Sequence, residues 1–173
     1  MKFFLLGFLL IPKAYASKWG IVEMVCERMK YPDCSLVKAI ITVESSNNPL
    51  SVGHDGTGSL GLMQIKCNTA RFLDKIKKRK EIECNNLFIS AVNIKYGIEY
   101  LQYLQKRLTT EPTITELLSA YNGGYKYYKN TNSYRIKLCN AISKTKKRKC
   151  KEGEPFNIEY SRKVIQAYNQ IRS

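Results

Sequence analysis

The chain has 173 residues, of which 44% are hydrophobic, so it is long enough and apolar enough to form one domain with a substantial core. No stretch contains the roughly 20 apolar residues that a membrane-spanning helix requires, which argues against an integral membrane protein. The formal charge of +15 predicts attraction to polyanions, either nucleic acid or an anionic polymer of a cell envelope.

Residues 1–16 have the pattern of a secretory signal peptide. Lys2 supplies a positive charge, residues 3–11 form an apolar run, and residues 14–16 read Ala-Tyr-Ala, a small-x-small cleavage site. We therefore predict an exported protein, periplasmic or secreted, whose mature domain is formed by residues 17–173. An uncleaved membrane anchor or a buried strand is the alternative interpretation of the same residues.

The first half of the mature chain is predicted to contain two helices and a loop. A short helix is expected at residues 18–30. A second is expected at residues 35–46, with Asp33 or Ser35 as its N-cap. Residues 47–60 are rich in glycine, proline and small polar side chains, which predicts a loop.

The second half is also predicted to be helical. From Phe88 to Leu108 apolar residues recur every three or four positions. Thr113 and Glu116 have the spacing of a capping box, and a final helix is expected at residues 157–172. The predicted fold class is therefore mainly α, a compact lysozyme-like helical domain.

Six cysteines and a single histidine are present. An even number of cysteines in an exported chain favours disulfides over free thiols. A zinc site is the alternative, but no pair has C-x-x-C spacing, so we predict no metal. Many connectivities are open, and the simplest joins neighbours along the chain: Cys26 with Cys34, Cys67 with Cys84, and Cys139 with Cys150.

Two basic runs stand out, at residues 77–80 and 144–149. Nucleic acid is one candidate partner, but export makes an anionic envelope polymer or a membrane surface the better one, and no nucleic-acid partner is expected. The alternative is that both runs are solvated loop faces.

Gly56, Gly58 and Gly61 spell G-x-G-x-x-G, the pattern of a dinucleotide-binding loop. Such a loop follows a buried strand and opens a helix whose N-terminus holds the pyrophosphate. Here a helix and a loop precede the glycines, so we attribute the match to a glycine-rich loop and predict no cofactor.

Glu44 follows Val37, Ile40 and Ile41 at helical spacing, which places a carboxyl group on an apolar helix face. Burial there raises the pKa of a carboxyl group, and a glutamic acid protonated near neutral pH can protonate a glycosidic oxygen. The alternative is a glutamate at the helix end whose side chain reaches water, and periodicity alone favours it.

Four blocks, in this order, resemble the lytic transglycosylase family that shares the goose-type lysozyme fold. The first is ESSNNP from residue 44, continued by SLGLMQI from residue 59 and NTAR. The others are LFISAVNIKYGIEYL at 87–101, AYNGG at 120–124, and Tyr160 followed by Val164. The resemblance covers roughly residues 28–168.

The resemblance implies a role for each matching residue. Glu44 would be the single catalytic acid/base. Ser59 and Gln64 would hydrogen-bond sugar and Met63 would pack against it, while the Tyr-Asn pair at 121–122 would position the substrate. Core packing is the alternative interpretation of Met63 and Tyr160. The full set of implied substrate-binding residues is Ser45, Ser59, Gly61, Met63, Gln64, Tyr121, Asn122 and Tyr160.

The chain also departs from the family pattern. Cys67 stands where the family often has proline, just after MQI, and Gly124 stands where proline is common. Residues 144–151 have no counterpart.

The resemblance further implies a reaction and a substrate. The substrate would be peptidoglycan glycan strands, cleaved between N-acetylmuramic acid and N-acetylglucosamine to give 1,6-anhydromuramyl ends, by a monomer without cofactor. Secretion or conjugation machinery is a partner class that the resemblance suggests, and general wall turnover is the alternative role.

Two other functions stay open at this point. A goose-type muramidase would hydrolyse the same bond and would use a second acid, for which Asp55 is the candidate. A secreted basic protein could instead bind glycan or nucleic acid without cleavage, but the order of the four blocks argues against it.

Overall fold

The computed structural model describes residues 17–53, 58–108, 112–125 and 157–173. The predicted signal peptide, Asp55, the Cys139–Cys150 pair and the run at 144–149 lie outside these residues. In the described part, the helices are α1 (Gly20–Arg28), α2 (Cys34–Ser45), α3 (Cys67–Ile76), a 3₁₀ helix (Cys84–Phe88), α4 (Ser90–Arg107), α5 (Ile114–Gly123) and α6 (Ile158–Arg172), and the strands are β1 (Ser59–Leu60) and β2 (Ile65–Lys66).

The mainly helical fold class is confirmed, and the helix ends follow local chemistry. At the start of α2, Asp33 Oδ1 accepts a hydrogen bond from the Leu36 backbone N–H at 3.1 Å. At the start of α5, Thr113 and Glu116 form the predicted capping box. Each such cap contributes about 1 kcal/mol by satisfying a backbone N–H that the helix leaves unpaired.

The core lies between α2, α4, α5 and α6. Helix α6 packs chiefly against α2 and α5, and α4 contacts α1, α3 and α5. Ile40 and Ile41 of α2 and Ile94 and Ile98 of α4 are fully buried. Burying a side chain of this size contributes roughly 1.5–3 kcal/mol, so these helix faces supply much of the drive to fold. Within the described part of the chain, no helix combines the length and apolarity needed to cross a bilayer.

Three elements were not predicted: the β-hairpin, α3 and the 3₁₀ helix. Strands β1 and β2 pair antiparallel, with Ser59 opposite Lys66 and Leu60 opposite Ile65. Helix α3 begins directly after the hairpin. The hairpin strands have only two residues each, too few to give an alternating pattern in the sequence.

Two of the three predicted disulfides are confirmed. Cys26 bonds to Cys34 across the α1–α2 turn, with Cα atoms 5.9 Å apart. Cys67 bonds to Cys84 with Cα atoms 5.3 Å apart, and so ties the start of α3 to the 3₁₀ helix. The cysteine at 67, which departs from the family pattern, is thus part of a local cross-link.

The basic run at 77–80 does not behave as a purely solvated face. Arg79 makes two 2.8 Å hydrogen bonds to the Glu99 carboxylate and also pairs with Asp74. Lys77 contacts Glu99 at 2.9 Å. The Asp74 and Glu99 side chains are only 1% and 4% exposed, and Tyr96 donates to Asp74 at 2.8 Å. Half of the run therefore neutralises buried carboxylates that join α3 to α4.

The charged groups of this network determine the direction of the pKa shift of Glu99. Burial by itself would raise the pKa of the Glu99 carboxyl group. The hydrogen bonds from Arg79 and Lys77, together with the charge of Lys95, outweigh burial, so the pKa is lowered from its ordinary value of 4.5. The folded state therefore favours ionised Glu99.

We predict that Arg79→Ala lowers the free energy of unfolding by about 2–4 kcal/mol, because it leaves Asp74 and Glu99 buried without their main partner. The loss stays below that of a fully buried pair since Arg79 is 31% exposed and Lys77 still contacts Glu99. The matched control is Arg71→Ala, which breaks an exposed pair with Glu81 at 3.8 Å and should cost less than about 1 kcal/mol. Equal losses in urea unfolding would contradict the assignment.

A second prediction concerns pH. Because the Glu99 pKa is lower in the folded than in the unfolded state, its stabilisation is complete above the unfolded pKa and is lost as the pH falls through the folded pKa. The difference in urea midpoint between the parent and Glu99→Gln should be constant well above pH 4.5, the ordinary pKa of the group, and shrink as the pH falls below it. A difference that stays constant over this range would refute the linkage.

Candidate active site

A cleft of about 540 Å³ opens where the end of α2, the β-hairpin, α4 and the end of α5 meet. Its size suits a ligand of several sugar-sized units. Its lining is largely polar and contains backbone from glycine-rich turns. The lining residues are Glu44, Ser51, Val52, Gly53, Ser59, Gln64, Ile65, Lys66, Thr69, Tyr100, Tyr121, Asn122, Gly123 and Gly124.

Glu44 lies in the last turn of α2, half-buried at the cleft wall. Its Oε1 atom accepts a hydrogen bond of 2.7 Å from the Tyr160 hydroxyl, which α6 carries. The sequence left open whether the Glu44 side chain is buried on its helix face or reaches water. In the structure it lies on the packed side of α2 and still reaches the cleft. The bond to Tyr160 restricts the carboxyl group to one orientation.

Tyr160 and Tyr121 are neutral hydrogen-bond donors beside this carboxyl group. Burial, followed by the charge of Glu44, raises the pKa of both hydroxyls well above the ordinary value of 10.0. The Tyr121 hydroxyl donates to the Met63 carbonyl at 2.8 Å, which fixes the hairpin turn against α5. Both predicted tyrosines thus lie near Glu44: Tyr160 bonds to it directly, and the Glu44 charge acts on the Tyr121 hydroxyl.

The turn between β1 and β2 requires glycine at position 61. Gly61 has φ +72°, and a Cβ atom there would collide with the Asn93 side chain and the Leu87 carbonyl. The Gly61 N–H donates to the Ser51 carbonyl at 2.8 Å, which closes the loop beside the cleft. Gly61 therefore shapes the cleft wall through its backbone.

Asn93 of α4 holds this turn and was missed by sequence reasoning. Its fully buried side chain accepts from the Met63 N–H at 2.7 Å and donates to the carbonyls of Leu60 and Leu87 at 2.8 and 2.7 Å. A buried amide with three bonds is costly to replace. An asparagine on an otherwise apolar stretch of α4 was the available signal.

Of the two interpretations of Met63, the side chain follows core packing. It is fully buried and packs against Gly97, where a Cβ atom would collide with the methionine sulfur. The side chain therefore faces the core rather than a sugar. What Met63 contributes to the site is its backbone, which bonds to both Asn93 and Tyr121.

Gln64 and Ser59 line the cleft as predicted. Gln64 adopts a left-handed backbone conformation, with φ +47°. Its Nε2 atom donates to the carbonyls of Ser51 at 3.1 Å and Gly61 at 2.9 Å. The amide nitrogen thus braces the loop, and its contact with sugar remains a prediction.

Ser45 does not line the cleft. It is buried, and its hydroxyl donates to the Ile41 carbonyl at 3.1 Å within α2. A serine that bonds four residues back stays close to its own helix. The Ser45 hydroxyl therefore does not face the cleft, where the substrate contact was predicted.

Asn122 is exposed at the end of α5 and lines the cleft. Its Oδ1 accepts from Asn157 Nδ2 at 3.2 Å, and the same nitrogen donates to the Ser119 carbonyl at 2.8 Å. Asn157 precedes α6 and so links that helix to the Tyr-Asn pair. Asn157 and the cleft-lining Tyr100 were not predicted.

Among residues 17–53, 58–108, 112–125 and 157–173, no three His, Cys, Asp or Glu side chains are grouped to hold a metal ion. The polar groups that line the cleft are the Glu44 carboxyl group, the Lys66 ammonium group, hydroxyls, amides and backbone. This set is suited to proton transfer and to hydrogen bonding of a polyhydroxylated ligand.

Comparison with known proteins agrees with these features. Over 99 residues the chain is 37% identical to membrane-bound lytic murein transglycosylase C of Photorhabdus laumondii. The aligned region covers 53% of this chain and 27% of that protein. Over 95 residues it is 32% identical to membrane-bound lytic murein transglycosylase E of Buchnera aphidicola. The aligned region covers 53% of this chain and 41% of that protein. The chain thus spans less than half the length of these relatives.

The family model described as the transglycosylase SLT domain matches residues 25–141. The match includes Glu44, the hairpin and the Tyr-Asn pair, and ends before α6. It covers well over half of the chain, so the chain belongs to the transglycosylase SLT domain family.

Proposed function

We propose that the protein is a peptidoglycan lytic transglycosylase that cleaves the β-1,4 bond between N-acetylmuramic acid and N-acetylglucosamine. The observation that carries the proposal is the orientation of Glu44 by Tyr160 in a cleft large enough for several sugars. The relatives named as lytic murein transglycosylases support the same substrate.

The proposed reaction uses Glu44 twice. Its protonated carboxyl group gives a proton to the glycosidic oxygen as the bond from the muramyl C1 breaks. The resulting carboxylate then accepts the proton of the muramyl C6 hydroxyl, whose oxygen bonds to C1. The products are a 1,6-anhydromuramyl end and a free N-acetylglucosamine hydroxyl, and no water is consumed.

A single carboxyl group favours this route over hydrolysis. Retaining glycosidases usually place two carboxyl groups about 5 Å apart, and inverting enzymes place a second one across the sugar. Glu44 is the sole acidic side chain among the described residues that line the cleft. The muramidase alternative depends on Asp55, which lies outside the described residues.

Tyr160 would keep the Glu44 carboxyl group aimed at the scissile bond. Its hydroxyl is neutral, so it donates to Glu44 without competing as a base. Tyr121 and Gln64 would fix the loop that supports the sugar, because both bond to the backbone of the hairpin region. The assignment of Ser59 and Asn122 as sugar contacts rests on their place in the cleft lining.

Export completes the proposal. Peptidoglycan lies outside the cytoplasmic membrane, and a cleavable leader at residues 1–16 would deliver a domain of residues 17–173 to it. The two disulfides of the described residues fit an oxidising compartment. Service to a secretion or conjugation machine, or to wall turnover, would follow from the same chemistry.

We predict that Glu44→Gln loses about 10²–10⁴-fold or more of its lytic rate on purified peptidoglycan, because one residue performs both proton transfers. Loss of turbidity reports the rate, and circular dichroism checks the fold. The matched control is Glu83→Gln, which alters an exposed glutamate outside the cleft lining and should keep the parent rate. A wild-type rate for Glu44→Gln would show that the site is elsewhere.

The chemistry of the product distinguishes a lytic transglycosylase from a muramidase. Mass spectrometry of parent digests should show muropeptides lighter by one water than hydrolysis products. Reducible muramic acid ends would instead establish the muramidase alternative.

We further predict that Tyr160→Phe lowers the rate about ten- to a hundredfold, the usual effect of losing a hydrogen bond to a carboxylate. Tyr168→Phe is the matched control, since the Tyr168 hydroxyl on the same helix donates to Asp33 at 2.9 Å, away from the cleft lining. If both variants lose activity equally, Tyr160 supports the α2–α6 packing rather than the orientation of Glu44.

A further inference from the structure

Four aromatic side chains continue the cleft beyond its lining. Tyr100 lies in the cleft wall, and its ring is 5.5 Å from that of Tyr121. Tyr103, one turn further along α4, has a ring centroid 6.3 Å from Tyr100 with planes 11° apart. Phe72 and Tyr125 set their edges against Tyr103 at 5.2 and 6.4 Å. We call Tyr100, Tyr103, Phe72 and Tyr125 the aromatic extension.

Three separate chain segments lead from the cleft into this cluster. Thr69 of α3 lines the cleft, and Phe72 lies three residues later on the same helix face. Tyr100 of α4 lines it, and Tyr103 lies three residues later. Gly124 lines it, and Tyr125 is next in the chain. The aromatic extension therefore begins at the cleft mouth and runs about one helical turn, roughly 5 Å, away from it.

The cluster is not simply part of the core. Phe72 is 40% exposed, and Tyr100, Tyr103 and Tyr125 are each partly exposed. An apolar ring that stays in water next to a binding cleft commonly marks a place where ligand packs.

Sugar is the occupant that this chemistry fits. One face of a pyranose ring consists of polarised C–H groups, which pack on the negative face of an aromatic ring, while its hydroxyls bond to water or to tyrosine hydroxyls. The Arg107 guanidinium lies 5.5 Å from the Tyr103 ring and adds positive charge for the carboxylates carried by peptidoglycan.

We propose that the aromatic extension is an additional subsite that holds the glycan strand beyond the sugars at Glu44. The proposal rests on the proposed function, since it takes peptidoglycan as the substrate. It makes Tyr103 and Phe72 determinants of strand length, because the extension begins where the cleft ends. Long strands should gain affinity from it, and fragments that fill only the cleft should not.

The test compares strand lengths with cleavage switched off. In a Glu44→Gln background, Tyr103→Ala and Phe72→Ala should each bind long soluble glycan strands about three- to tenfold more weakly, the size expected for one aromatic contact. Binding of a tetrasaccharide should not change. In the active protein the same substitutions should raise KM for long strands and leave kcat unchanged.

Ile89→Ala is the matched control. Ile89 is an apolar side chain that is 52% exposed, and it precedes α4 some fourteen residues from Tyr103, about 20 Å along the helix. It should bind both ligands as the parent does. An equal loss on tetrasaccharide and long strands would overturn the proposal, because the rings would then only support the cleft. No loss on either ligand would also overturn it and would leave a protein partner as the occupant.

The outcome is separable from that of the proposed function. If the parent releases no anhydromuropeptides but the length-dependent binding persists, the proposed reaction fails and the subsite stands. If the parent releases them and the variants bind long strands normally, the subsite fails and the reaction stands.

Discussion

The packing of α6 on α2 is the constraint on which the site depends. It joins Tyr160 to Glu44 across 116 positions of sequence through one 2.7 Å hydrogen bond. The same pair of helices is joined at its other end by the bond from Tyr168 to Asp33. Apolar burial supplies the free energy of this contact, and the two tyrosine hydroxyls fix its register. Without α6, the Glu44 carboxyl group would keep its helix but lose its orienting partner.

The hairpin loop beside the cleft is held mostly through its backbone. Asn93 bonds to three backbone groups around the turn. Beside it, only glycine fits at position 61, because a Cβ atom there would collide with the Asn93 side chain. Tyr121 adds a fourth bond from α5. A short hairpin is marginal by itself in water. Its stability here comes from buried polar side chains of the helices beneath it, so a glycine-rich loop can still present a defined surface.

Charge is divided between two regions with different tasks. Asp74 and Glu99 are buried with Arg79 and Lys77, where they connect α3 to α4. At the cleft, the tyrosine neighbours of Glu44 are neutral hydrogen-bond donors. This is consistent with the proposed role of Glu44, which must both give and take a proton.

The sequence by itself indicated five of the six α-helices in the described residues, because periodicity, the Asp33 or Ser35 cap and the Thr113–Glu116 capping box act over a few neighbouring residues. It also indicated two disulfides, through pairing of neighbouring cysteines, and five of the fourteen residues that line the cleft, through the resemblance of motif blocks. Tertiary structure decided which of these side chains face the core and which hold the hairpin. Met63 turned into the core, and Asn93 became the anchor of the hairpin, because burial and hydrogen bonding join segments that are distant in sequence.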